Sequence, residues 1–187
     1  INKNLEKKII KKIIEPTLQA LKARKHPYTG FLYAGLMIKN NEPYLIEYNV
    51  RMGDPECQVI MPRLQTDLVQ LLKASVDNKL NKYNIKWSKK KCMATVLCSK
   101  GYPYKYKINK KINLDHVILN KQSFIFHAGT IKKDGFFFSK GGRVLNIVTL
   151  GSSFLKIRNK ISKIIKTINW KHGFFRRDIG WRVIKKK

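Results

Sequence analysis

Apolar residues recur at helical spacing in three stretches of the chain. The first holds Ile9, Ile10, Ile13, Ile14, Leu18 and Leu21, with lysines on the opposite face. Pro16 interrupts it, since proline removes a helical hydrogen bond, so the helix must kink there or restart with Pro16 in its first turn. Asp67 is placed to cap a second helix, in which Leu68, Val69, Leu71, Leu72 and Val76 run to about Asn78. Ser153 opens a third, with Leu155, Ile157, Ile161, Ile164, Ile165 and Ile168 as its stripe.

Between these helices the apolar period shortens to two or vanishes. "GFLYAGLMI" (30–38) is apolar on both faces, as expected of a strand covered on each side, and "KNNEP" then supplies turn residues before "YLIEYNV" (44–50). These two runs predict an antiparallel pair. The polar stretch between residues 78 and 91 is a candidate boundary. Beyond it "CMATVLCS", "HVILN", "SFIFHAG", "GFFFS" and "RVLNIVTLG" predict a small, mainly antiparallel sheet followed by the third helix. The fold class expected is α+β, divided into residues 1–85 and 86–187.

Composition sets the limits. With 187 residues, 43% of them hydrophobic, the chain can build a core and is not disordered from end to end. Cys57, Cys92 and Cys98 are odd in number and lack CxxC spacing, which argues against a disulfide scaffold or a structural zinc and fits a reducing compartment. No apolar run approaches the roughly 20 residues of a membrane span, and the lysine-rich start carrying Glu6 and Glu15 does not read as a presequence. The net charge of +29 raises nucleic acid as a partner, but the lysines are spread as pairs and triplets among many asparagines and isoleucines, a bias acting everywhere. No specific nucleic acid is expected.

Against that charge the few carboxylates stand out, above all in "YLIEYNVRMGDPECQ" (44–58). On a strand Leu45, Glu47, Asn49 and Arg51 share one face, while Tyr44, Ile46, Tyr48 and Val50 form a wall against the core. Glu47 and Asn49, about 7 Å apart along the backbone, offer oxygen ligands that could converge on Mg²⁺ held by a nucleotide. Arg51 could present its planar fork of donors to a transferring phosphoryl group. The plainer alternative is a Glu47–Arg51 ion pair with Asn49 ending the strand. An acid inside an apolar run carries a desolvation cost, which a metal or a charged partner would offset. Asp54 and Glu56, after the Gly53 turn, would order the loop or touch a substrate amine.

The ordered motifs "HPYTGFLYAGLMI", "IEYNVRMGDPECQVIMPRLQTDLVQLL", "SKGYP", "FHAGT", "GGRVLNIVTLG" and "FFRRDIGWR" resemble the carboxyl-terminal part of the phosphoribosylamine-glycine ligase family, ATP-grasp enzymes of purine biosynthesis, from about residue 5 onward. The resemblance implies that residues 1–85 are the carboxyl-terminal part of an ATP-grasp domain and 86–187 a small carboxyl-terminal β-rich domain. It implies ATP and Mg²⁺ (or Mn²⁺) as cofactors, with glycine and 5-phosphoribosylamine as substrates. The glycine carboxylate would be phosphorylated and then attacked by the amine, giving the amide, ADP and phosphate. Glu47 and Asn49 would be the metal ligands, Arg51 the catalytic cation near the phosphates, and Gly53 to Glu56 part of the same cleft. "HAGT" and "GGRV" are turn and packing motifs in such a domain, His127 a structural histidine, and Arg143 a candidate for a substrate phosphate.

Two departures from that family pattern are visible. Tyr104 stands where "GYPG" is usual, and the following "KYKINKKIN" lacks a turn glycine. The amino-terminal domain and the earlier ATP-grasp segments are absent from these residues, so the start at Ile1 reads as a truncation, and the missing amino-terminal part is an expected partner. Alone, such a piece would be inactive, since phosphoryl transfer needs charge neutralised from several sides. The cytoplasm, or an organelle, is the expected location, without membrane attachment. The rival classes are a basic nucleic-acid-binding module and a non-catalytic remnant or partner-binding piece.

Overall fold

The computed structural model describes residues 1–184, so the terminal lysine triplet, Lys185 to Lys187, lies outside them. The fold is mixed α+β, an ATP-grasp-like arrangement of helices and sheet followed by small antiparallel sheets that end in a helix. Two compact units are separable, one built from residues 1–54 and 66–85, the other from residues 55–65 and the chain from Lys86 onward.

The first unit starts with α1 (Lys3–Ile9), capped by Asn2, whose Oδ1 accepts from Leu5 N at 2.8 Å. The helix does not break at Pro16. A π-helical turn over Ile10–Ile14 precedes α2 (Glu15–Ala23), and Glu15 N–H reaches back to Ile10 O. The wider turn precedes a new α-helical segment with Pro16 in its first turn, as one of the two sequence alternatives has it, where the proline's missing N–H is tolerated. Leu5 and Ile13 are buried, but Ile10 is exposed.

β1 (Tyr33–Lys39) and β2 (Glu42–Asn49) pair antiparallel through a two-residue turn, with Lys39 opposite Glu42. Asn40 and Asn41 both take positive φ, 50° and 59°, the conformation that suits strand twist and that asparagine tolerates. Pro43 falls within β2, opposite Ile38. The expectation of a fully covered β1 fails in the described residues: its first half is only half-buried, and Met37, Ile38, Leu45 and Ile46 are exposed. The sheet of this unit has two strands, and Tyr48 is where its even face meets the helix: the hydroxyl donates to Ile13 O at 3.1 Å and shares a hydrogen bond with Thr17 Oγ1 at 2.5 Å. The wall predicted along Tyr44, Ile46, Tyr48 and Val50 therefore reduces to Tyr48, since the other three are exposed.

The second unit opens with α3 (Glu56–Ile60), which packs on the strands described next. α4 (Leu68–Val76) belongs to the first unit and has the predicted Asp67 cap, Oδ1 accepting from Gln70 N at 2.9 Å. It buries Leu71 and Ala74 and leaves Val69 and Val76 exposed.

β3 (Lys91–Ser99), β5 (Ser123–His127) and β8 (Arg143–Gly151) lie where the apolar runs predict them, and with β9 (Gly173–Phe174) they form a sheet ordered β5-β8-β3-β9. β4 (Lys111–Ile112), β6 (Thr130–Lys133) and β7 (Phe136–Ser139) form a second sheet ordered β4-β7-β6. α5 (Phe154–Thr167) is capped by Ser153 and lays Ile157, Ile161, Ile164 and Ile165 on β3 and β8, while Leu155 faces outward. The last element among the described residues is α6 (Trp181–Ile184). Val144 to Thr149 are all buried, which explains an unbroken run where alternation would mark a half-exposed strand. The core lies here.

"HVILN" (116–120) is not a strand. Asn113 Oδ1 accepts from Asp115 N and Asn120 Oδ1 from Gln122 N, so an asparagine turn at each end takes the backbone away from sheet pairing and leaves Ile118 exposed.

Candidate functional site

β2 carries Glu47 and Asn49 to the open end of its hairpin, where Glu47 lies opposite Gly35 and Asn49 opposite Tyr33. Their side chains meet: Asn49 Nδ2 donates to Glu47 Oε1 at 3.0 Å. The alternation that placed them on one face is thus realised as direct contact. A bulge between Gly35 and Leu36 offsets the register at this point, which locally increases twist and re-aims side chains.

The strand places Glu47 differently from the sequence argument in one respect. Its side chain is exposed, so within the described residues it carries no desolvation cost for a metal to offset. The apolar run is misleading because a two-stranded sheet has no layer over this face. The plainer alternative also fails, for Arg51 lies past the end of β2, and its Nη1 donates to Met52 O at 2.8 Å, with no Glu47–Arg51 ion pair among the described residues. Gly53 is buried, and Asp54 closes the first unit while Pro55 and Glu56 begin the second.

Glu47 and Asn49 form a small donor set suited in kind to Mg²⁺, an anionic oxygen beside an amide that can turn its oxygen inward. No group of three or more His, Cys, Asp or Glu side chains that could hold a metal occurs among the described residues. Any ion here would draw its remaining ligands from phosphate oxygens, water or other protein groups, as Mg²⁺ sites with one or two protein ligands usually do.

Behind the strand a charged clasp goes unannounced in the sequence. Lys8 and Lys12, one helical turn apart, both hold Glu42 at the start of β2, at 2.5 Å and 3.1 Å. The hydrogen bonds from Lys8 and then Lys12 keep the Glu42 carboxyl below its ordinary range. Only the i, i+4 lysine pair, Lys8 in α1 and Lys12 in the π-helical turn, could have hinted at it, and nothing in the sequence links that pair to Glu42.

In the second unit the glycine motifs lock to one another. A Cβ on Gly129 would meet Arg143 O at 2.7 Å and Gly141 Cα at 2.9 Å, and Gly129 N donates to Arg143 O at 3.0 Å while Lys140 N donates to Gly129 O at 2.7 Å. Side chains would separate these backbones. His127 rests on Phe137, ring centres 4.4 Å apart, with Nδ1 hydrogen-bonded to Thr130 Oγ1, and partial burial lowers its pKa. Burial raises the Cys92 and Cys98 thiols, which keeps them protonated and unreactive. No helix among the described residues is long and apolar enough to cross a membrane.

Comparison with known proteins agrees with this architecture. Residues 1–57 match the family "Phosphoribosylglycinamide synthetase, ATP-grasp (A) domain", and residues 92–182 match "Phosphoribosylglycinamide synthetase, C domain". The phosphoribosylamine-glycine ligase of Agrobacterium fabrum is 41% identical over 95% of this chain and 42% of its own length, and that of Vibrio vulnificus is 40% identical over 100% and 44%. The crystal structure of the Thermotoga maritima phosphoribosylamine-glycine ligase superposes with a TM-score of 0.76 at 30% identity, over 95% of this chain and 44% of that one. The chain therefore spans less than half the length of these relatives, and shows strong homology to them, in sequence and in fold, along nearly all of its own.

Proposed function

We propose that this chain supplies the metal-bearing strand and the small β-rich domain of an ATP-dependent ligase joining glycine to 5-phosphoribosylamine. The observation that carries the reading is the contact between Asn49 and Glu47 on one strand face, inside the stretch matched to an ATP-grasp domain. Residues 1–85 are read as the ATP-grasp part and 86–187 as the carboxyl-terminal domain.

ATP with Mg²⁺ (or Mn²⁺) would supply the phosphoryl group and neutralise its charge. Glu47 and Asn49 would hold the ion through oxygen, and Arg51, freed from Met52 O, would offer its fork of donors to the oxygens on which charge develops. Glycine carboxylate oxygen would attack the terminal phosphorus, with ADP leaving. The amine would then attack the resulting acyl phosphate carbon, expel phosphate and lose a proton as the amide forms. Relatives more than twice this length, together with the exposed apolar residues Met37, Leu45 and Ile46, support a partner that is the remaining amino-terminal part of the same enzyme.

The test is a magnesium titration of ADP release, dependent on glycine and phosphoribosylamine, in the full-length enzyme and its Glu47→Gln variant. Gln keeps size and most hydrogen bonding but removes the anionic ligand, so turnover should fall about a hundredfold, roughly 3 kcal/mol of transition-state stabilisation, with the thermal midpoint unchanged. Normal turnover with an unaltered magnesium response would remove Glu47 from the site and weaken Asn49 with it.

A further inference from the structure

We propose that the second unit carries a binding site for a small polyphosphorylated molecule, in a two-lobed basic cleft that meets at His172. One lobe, a cavity of about 450 Å³, is lined by Lys100, Lys105 and Lys107 with His172. The other, about 420 Å³, is lined by Lys110, Lys111 and Lys171, again with His172. Among the described residues, no carboxylate lines either lobe. Lys111 is committed elsewhere, its ammonium 3.2 Å from the centre of the Phe136 ring, which leaves two lysines in that lobe and three in its neighbour.

The walls are held by backbone. Gly101 takes φ of +98°, and a Cβ there would fall 2.1 Å from Lys105 O, so the loop turns back on itself as only glycine permits. Tyr104 N donates to Gly101 O and Lys100 N to His172 O, each at 2.8 Å, which ties the loop to the far wall. Under the second lobe Asn113 and Asn169 exchange both backbone hydrogen bonds at 3.1 Å. Lys110 is fixed to the fully buried Ser139, its N–H donating to Oγ at 3.1 Å and its carbonyl accepting from Ser139 N at 2.9 Å. Ammonium groups gathered on a fixed frame repel one another, and an anion relieves that repulsion at little ordering cost. Lysine serves phosphate as a point charge with three donors. Two adjoining lobes fit a ligand with at least two anionic groups, one on each side of His172. Their concavity and volume suit a small molecule better than a strand of nucleic acid.

Tripolyphosphate is the probe, titrated into the protein at about 150 mM salt, where long-range attraction is screened. Saturable one-to-one binding is expected, with amide resonance shifts confined to residues 100–113 and 169–172. The double substitution Lys105→Glu with Lys107→Glu should weaken it at least tenfold. The same charge change on exposed positions of α5, Lys156→Glu with Lys163→Glu, should leave it within twofold. Thermal melts accompany both, and Lys105→Gln with Lys107→Gln replaces the glutamate pair if that pair does not fold. Equal weakening by both pairs would expose a general lysine background and overturn the proposal, as would no saturable binding or shifts lying elsewhere. An RNA oligonucleotide displacing tripolyphosphate from the same residues at lower concentration would make the cleft a nucleic-acid surface and overturn it too.

Discussion

Gly35 faces Glu47 across the hairpin, and a Cβ built on it would stand 3.0 Å from Glu47 Cγ. That is tight, but the obstacle is a flexible methylene, so alanine there should displace the carboxylate rather than break the strand. Gly35→Ala is expected to keep or raise the thermal midpoint, since glycine in a strand costs about 0.5–1 kcal/mol relative to alanine. The magnesium dependence of ligase turnover in the full-length enzyme should meanwhile shift several-fold to higher concentration. A lowered midpoint with an unchanged magnesium response would show that Gly35 serves the sheet and not Glu47. Nothing in the sequence singles out Gly35, because its effect depends on the pairing register and the bulge beside it.

At the scale of elements, helix α5 holds the second unit through four isoleucines, of which Ile157 and Ile161 are 1% exposed. Ile161→Ala should cost about 2–5 kcal/mol, the range for a large-to-small change in a packed core, read as a drop in the denaturation midpoint. Leu155→Ala, 49% exposed on the same helix, should cost far less. The Lys8–Glu42–Lys12 clasp predicts acid sensitivity in the first unit. Its folded pKa lies below the usual 4.5, so its contribution is complete above 4.5 and disappears as pH falls through the folded value. Glu42→Gln should therefore lower the midpoint at pH 6 and make little difference at pH 3. Elements with a strong local period, α5 and the pair β1 and β2, were legible along the chain. β6, "TIKK", has no such period: it exists because β7 pairs with it across the Asp134-Gly135 turn, at φ of 50° and 78°. "HVILN" erred the other way, its apolar run overruled by asparagine side chains binding nearby backbone. That Glu47 and Asn49 share a face was readable from alternation, whereas their direct hydrogen bond and the exposure of Glu47 depend on side-chain choice and on what covers the sheet, which no local pattern encodes.

Over the whole molecule, 40 cationic side chains face 11 carboxylates, an excess of +29 that repels itself in the folded state. Among the described residues, Glu42 pairs with Lys8 and Lys12, and Asp178 with Arg176 at 2.6 Å, all of them near the surface. Screening should therefore help more than it harms. Exposed pairs contribute little, while the repulsion is summed over every lysine on the surface, and salt weakens both. Raising sodium chloride from about 20 mM to about 300 mM shortens the screening length from roughly 20 Å to under 10 Å, so the thermal midpoint is expected to rise. Over the same range, binding to an arbitrary duplex should collapse, because affinity that comes from released counterions falls steeply with salt and carries no sequence information. Fluorescence anisotropy with two unrelated duplexes, run beside the melts, separates the possibilities. A rising midpoint with binding lost equally for both duplexes marks the charge as a general property of the surface. Tight binding that persists at the higher salt and prefers one duplex would instead give the lysines a nucleic-acid partner, and the ligase reading would then have to account for it.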